Sequence, residues 1–183
     1  MFEKIKVVVI DIDGCLTDGI YQISSTILPF SGESTVTKSF YTKDFYAIEE
    51  LLKSEIIVII MSQSSGVCIG NQIERLRKGR SGFWNKSWEE NKLKLFLKID
   101  NKKSKIEEFM NNSEKIISWE NIAYMGDAEN DLECIKEAGF AGCPFDAIRK
   151  VRVQSDYLAN FPGGKGCVYD FCMYILEKRK EKK

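Results

Sequence analysis

Two carboxylates close an apolar run. In VVVIDIDGCLTDG (residues 7–19), Asp11 and Asp13 follow four aliphatic residues and precede Gly14. A buried strand should avoid both, because an unpaired charge taken out of water is costly. Either the strand stops there as a turn, or the carboxylates face a cation or a reaction. Other polar groups follow other apolar runs: Ser62 after EIIVIIM, and Gly126, Asp127 and Asp131 after NIAYM. Lys102, Lys103 and Lys105 open the amphipathic stretch between those runs.

As a set, these groups have a coherent chemistry. Asp11 and Asp127 could share a magnesium ion, a hard cation that takes carboxylate oxygens and keeps several waters. A carboxylate nucleophile can accept a phosphoryl group covalently. Asp13, two residues on, shares a side of the extended chain with Asp11, so one can attack while the other handles a leaving-group proton. A lysine, Ser62 and the backbone N–H groups of the turn around Gly14 would neutralise phosphate oxygens. Taken singly, a DxD, a GD, a serine or a lysine run is more often a turn, a cap or a solvated helix start. Their order, each at its own strand end or helix start, argues for a site.

The elements that must carry these groups are legible as alternation. Residues 6–10 read as a buried strand and 20–41, rich in Ser, Thr and β-formers, as a hairpin. Asp44 is placed to cap a helix bearing Phe45, Ile48, Leu51 and Leu52. A strand at 56–61 precedes a helix through Ile73 and Leu76. Then come a short helix over 103–110, a strand at 121–125, a helix closed by Gly139, a short strand in FAGCP, and a last helix over 166–177. Strands alternating with helices make a parallel sheet covered on both faces, an α/β fold that binds ligands beyond the carboxyl ends of its strands. Residues 77–100 fit this poorly and read as an inserted surface hairpin or oligomer contact, in preference to a lid.

At 183 residues the chain fits one domain over 1–183. Lys+Arg and Asp+Glu both total 27, so no net field argues for nucleic acid or a membrane surface. The basic end, 178–183, reads as a flexible tail. No apolar run reaches membrane-spanning length and no signal-peptide pattern opens the chain, which points to the cytoplasm. Six scattered cysteines without a CxxC pair read as reduced thiols. The absence of histidine removes the Ser-His and Cys-His schemes and the usual zinc sites.

On these motifs the sequence resembles the haloacid dehalogenase (HAD) superfamily of aspartate-nucleophile phosphatases. DIDGCLTDG resembles its first motif, Ser62 its second, a lysine its third and GDAEND its fourth. With the late FPGGKGCVYDF, the likeness narrows to the capless phosphatases of 3-deoxy-manno-octulosonate 8-phosphate and of nine-carbon ulosonate 9-phosphates. The chain is also similar to the C-terminal domain of animal-type N-acylneuraminate cytidylyltransferases, through ENIAYMGDAENDLECIKEAGFAGCPFDA.

The resemblance implies a Rossmann-like three-layer α/β/α sandwich with a small hairpin flap and no large cap. It implies Asp11 as nucleophile and Asp13 as acid/base. Magnesium would sit on Asp11, Asp127 and the Asp13 carbonyl. Ser62 and a lysine would bind the phosphoryl group beside Gly14. Lys105 is favoured, 22 residues before Asp127, with Lys102 as the runner-up. The substrate would be a sugar-acid phosphate, such as the precursors of lipopolysaccharide or sialic acids. The resemblance further implies a homotetramer, in which a neighbour's Gly163, Gly164 and Lys165 help close the site. Lys165 and Tyr169 stand where the family tail carries arginines, and Ala128 stands where a second Asp often follows Asp127, leaving Asp131 as helper. Two other readings compete: a non-catalytic oligomerisation module akin to the cytidylyltransferase domain, and a related phosphatase of a different small substrate.

Overall fold

The computed structural model describes residues 2–25, 34–79 and 82–181. Its centre is β1 (Val7–Asp11), buried along its whole length. Successive side chains point to opposite faces, and the core divides accordingly. Val8 and Ile10 join one apolar cluster; Val7 and Val9 join the other. A strand buried on both sides must be aliphatic throughout, which is why VVVI shows no polar alternation.

β4 (Ile57–Met61) and β6 (Ile122–Met125) flank β1 in parallel, with Asp11 level with Met61. β5 (Leu93–Phe96) pairs outside β4; β7 (Phe140–Cys143) and β8 (Tyr157–Leu158) extend the other side. The order is β5-β4-β1-β6-β7-β8, and every pairing is parallel. The chain winds outward from β1 to β5 and then returns to β6, so the ends of β1, β4 and β6 open onto one crevice.

Helices α1 (Thr42–Lys53), α2 (Val67–Arg77), α3 (Phe83–Glu89) and α7 (Cys167–Lys180) pack on one face. Helices α4 (Lys102–Asn111), α5 (Leu132–Glu137) and α6 (Arg149–Gln154) cover the other. The expected Rossmann-like three-layer sandwich is therefore present. Between β1 and α1 the described chain forms a small antiparallel hairpin, β2 (Gln22–Ser25) with β3 (Ser34–Thr37). Its tip, 26–33, lies outside the described residues, and no separate cap domain occurs among those described.

Four local expectations change. Residues 77–100 do not form a surface hairpin. They supply α3, whose Trp84 is buried and donates to Glu49 at 3.0 Å, and the parallel edge strand β5. Asp44 does not cap α1: Tyr41 holds the cap position without a side-chain bond, and Asp44 is buried one turn in. Gly139 does not close α5 with a left-handed turn. It lets the chain pass Glu120, whose carbonyl oxygen would lie 2.5 Å from an added Cβ. The last helix continues through Lys180, with Arg179 donating to the Ile5 carbonyl at 2.5 Å, so the basic tail begins inside a helix.

Candidate active site

The crevice is built around one buried lysine. Asn101 accepts the Ser104 N–H at 2.8 Å and so starts α4 at Lys102. That start puts Lys102 on the inward stripe with Ile106 and Phe109, at i, i+4 and i+7. Its ammonium donates to Asp11 Oδ1 at 2.5 Å and to Asp131 Oδ1 at 2.7 Å, and all three residues are at most 4% exposed. Burial pushes the Asp11 carboxyl well above the ordinary carboxylate range, the Asp131 charge adds to this, and Lys102 opposes it. Burial alone would lower Lys102, but the two carboxylates hold it above its usual value, a firmly charged ammonium.

Asp131 organises the GDAEND turn. Its Oδ2 accepts the N–H groups of Asp127 at 3.0 Å and Ala128 at 3.1 Å, and its Oδ1 also accepts the Tyr124 hydroxyl at 2.6 Å. With both oxygens engaged, it fixes the turn that presents Asp127. Gly126 is required there, because a Cβ would meet the Asp131 carboxyl carbon at 2.4 Å.

Asp127 Oδ1 is buried with no hydrogen-bond partner. Burial, and then the Asp131 charge, raise this carboxyl to about 7. Gly14 lies against it at φ +97°, where a Cβ would come 2.1 Å from Asp127 Oδ2. Ligand atoms of Asp11, Asp127 and Cys15 all lie within 4.8 Å of one another. Burial pushes the Cys15 thiol far up, so the hard donors here are the two carboxylates, a set that fits a divalent cation preferring oxygen. Among the described residues, Lys102 is the ammonium that meets this carboxyl cluster of Asp11 and Asp131, while Lys38 pairs with Asp13, and a divalent cation beside Asp127 would complement the set.

Asp13 faces the other way. Its Oδ2 accepts Ser62 Oγ at 3.0 Å and Ser64 Oγ at 2.9 Å, and its Oδ1 pairs with Lys38, just beyond β3. Burial would raise this carboxyl, but Lys38 and then the two hydroxyls outweigh it and hold it below the usual value. Ser62 is 2% exposed and anchored by its N–H to the Phe96 carbonyl at 3.0 Å.

One expected residue does not join the cluster. Lys105 lies round the helix from Lys102 and bonds Glu108 at 2.8 Å over the Phe96 ring, so the lysine beside Asp11 is Lys102. Lys165 is exposed. Within the chain, Gly163 and Gly164 pack on the first-motif loop. Gly164 N–H donates to the Cys15 carbonyl at 2.8 Å, and a Cβ on Gly163 would sit 2.0 Å from the Gly14 carbonyl oxygen. Sequence reasoning missed Lys38 and Ser64. The only local signal for Ser64 was its place two residues after Ser62, and Lys38 carried none, since the hairpin delivers it.

No family model matches the chain. It is 28% identical over 181 residues to N-acylneuraminate cytidylyltransferase A of Danio rerio, a match covering 99% of this chain and 37% of that protein. The chain thus spans little more than a third of that relative's length. It is 27% identical over 179 residues to the 3-deoxy-D-manno-octulosonate 8-phosphate phosphatase of Escherichia coli, covering 95% of this chain and 80% of that one. Among solved structures, the octulosonate phosphatase of Moraxella catarrhalis, in complex with magnesium, phosphate and the sugar acid, superposes with a TM-score of 0.79. The identity is 27%, over 98% of this chain and 90% of that one. In fold and in sequence together, the chain is similar to HAD-type phosphatases of the octulosonate 8-phosphate kind, the resemblance its motifs carry.

Proposed function

We propose that this chain is a magnesium-dependent phosphomonoesterase acting on an ulosonic-acid phosphate, an eight-carbon 8-phosphate or a sialic-acid-like nine-carbon 9-phosphate. The observation that carries the reading is the convergence of Asp11, Lys102 and the unpartnered Asp127 oxygen at the ends of β1 and β6. Asp11 attacks phosphorus as the ester P–O bond breaks, and Asp13 passes a proton to the departing oxygen. Because Lys38 and the serines hold Asp13 ionised, that proton enters with the substrate as its phosphate monoanion. Asp13 then takes a proton from the water that attacks the aspartyl-phosphate, the acyl-phosphate P–O bond breaks, and Asp11 is restored. Ser62 and Lys102 bind phosphoryl oxygens. A magnesium ion held by Asp11, Asp127 and the Asp13 carbonyl would neutralise charge between nucleophile and phosphate.

Phosphate release from eight- and nine-carbon ulosonate phosphates and from hexose phosphates, with magnesium and with a chelator, tests this reading. Release from the ulosonate esters, lost on chelation, is expected; release from hexose phosphates alone would reassign the substrate. We also propose a homotetramer. Exposed Ile20, before the hairpin and outside the lining of the cavity beside it, supports a covered surface there. A sedimenting tetramer with no phosphate release from any ester would instead mark the non-catalytic module.

A further inference from the structure

A phosphate ester's organic part extends past the group that protonates its leaving oxygen. On the function proposed above, that group is Asp13, and beyond Asp13 the chain is not flat. A cavity of about 290 Å³ lies between the hairpin and the start of α2, with Ser64 and Lys38 in its lining. The Cys68 thiol reaches the Val36 carbonyl at 3.8 Å, tying the two walls together. Those walls are largely apolar: Ile12, Tyr21, Val36, Phe40, Val67 and Ile69. Lys38 is the only cation among the lining residues; it is committed to Asp13 and lies over the Tyr21 ring at 3.9 Å. Phosphoryl transfer uses none of the apolar groups, so their role concerns the leaving group.

A sugar acid decorated with hydroxyls alone would lose water against these walls and regain few hydrogen bonds, a loss of about 1–3 kcal/mol for each stranded polar group. An acylamino substituent matches them better. Its methyl can lie against Val36, Phe40 and Val67, and its amide can face the hydroxyls of Ser64 and Ser65 at the polar side. We propose that this cavity holds the N-acyl group of the leaving sugar acid, so that the preferred substrate is an N-acylated nine-carbon ulosonate 9-phosphate.

The test compares kcat/KM for N-acetylneuraminate 9-phosphate, its counterpart with a hydroxyl in place of the acetamido group, and 3-deoxy-manno-octulosonate 8-phosphate. A preference of about tenfold or more for the acetylated ester over its hydroxyl counterpart is expected, the scale on which an apolar pocket discriminates. Val36→Thr, and separately Val67→Thr, put a hydroxyl into the wall at unchanged volume and at exposed positions, so the fold is spared. Each should cut the preference at least threefold. Because the readout is a ratio measured on one protein, a loss of folded enzyme cancels. Equal rates on the two nine-carbon esters, or a ratio that neither variant moves, overturn the acyl pocket and leave the phosphatase reading standing. Release from none of the three esters contradicts the phosphatase reading itself, and the pocket falls with it.

Discussion

Lys102 and Lys105 are three residues apart, yet one is buried against two carboxylates and the other sits in a surface pair with Glu108. Spacing to Asp127 could not separate them; helix phase does. With Asn101 as cap, Lys102 falls on the Ile106–Phe109 stripe, and that information was present in the sequence as NKKSKIEEF. Lys102→Met leaves Asp11 and Asp131 facing each other without a cation, which should cost about 3–5 kcal/mol of stability. It should also reduce phosphate release at least 100-fold, roughly the effect of losing one charge-stabilising donor. Lys105→Met should stay within about 0.5 kcal/mol and threefold of the parent, as surface pairs do. Urea melts and phosphate-release rates on both variants check this, and a silent Lys102→Met would remove the lysine from the site. Asp11, Asp13 and Asp127 were legible for a simpler reason: carboxylates directly following aliphatic strands are conspicuous. Ser64 and Lys38 were not, because Asp13 meets them only after β4 and the hairpin have assembled around it.

At the scale of elements, α1 and the start of α7 are held together by Asp44. Gly166 occupies the α7 cap position with no side chain to offer, and Asp44 of α1 supplies the missing acceptor, taking the Tyr169 N–H on Oδ1 at 2.8 Å. Its Oδ2 is buried without a partner. Burial therefore raises this carboxyl to about 7, opposed only by the Tyr169 N–H. A carboxyl raised in the folded state contributes stability that is full below its unfolded value, near 3.8, and is lost as pH climbs through about 7. Asp44→Asn keeps the acceptor and removes the titration. Thermal melts from pH 4 to 8 should show the variant gaining on the parent up to about pH 7, by a few kcal/mol in all, at no more than about 1.4 kcal/mol per pH unit, and level thereafter. Parallel curves would contradict the assignment. The sequence suggested a helix cap at Asp44 because Asp before an apolar run usually is one. Similarly, LKLF within 77–100 gave only a weak signal because an edge strand needs only one well-buried face, and β8, two residues long, has no pattern to read.

For the whole molecule, the parallel sheet and its crevice followed from alternation alone, because a β1 buried on both faces leaves its charged end nowhere to go but a site. The strand order was less accessible. Nothing local says that the chain returns to β6 beside β1, although that return is what brings Asp127 within reach of Asp11. With equal numbers of acidic and basic residues overall, the negative balance of the crevice is a local arrangement, and a cation is its natural complement. The central claim is that Asp11 forms the covalent bond to phosphorus. Asp11→Asn keeps the size of the side chain and an acceptor for Lys102 while removing the nucleophile. Assayed with magnesium on the best ulosonate phosphate, and with its fold verified by circular dichroism, the variant should release no phosphate above background. Appreciable turnover by the folded variant would contradict the account.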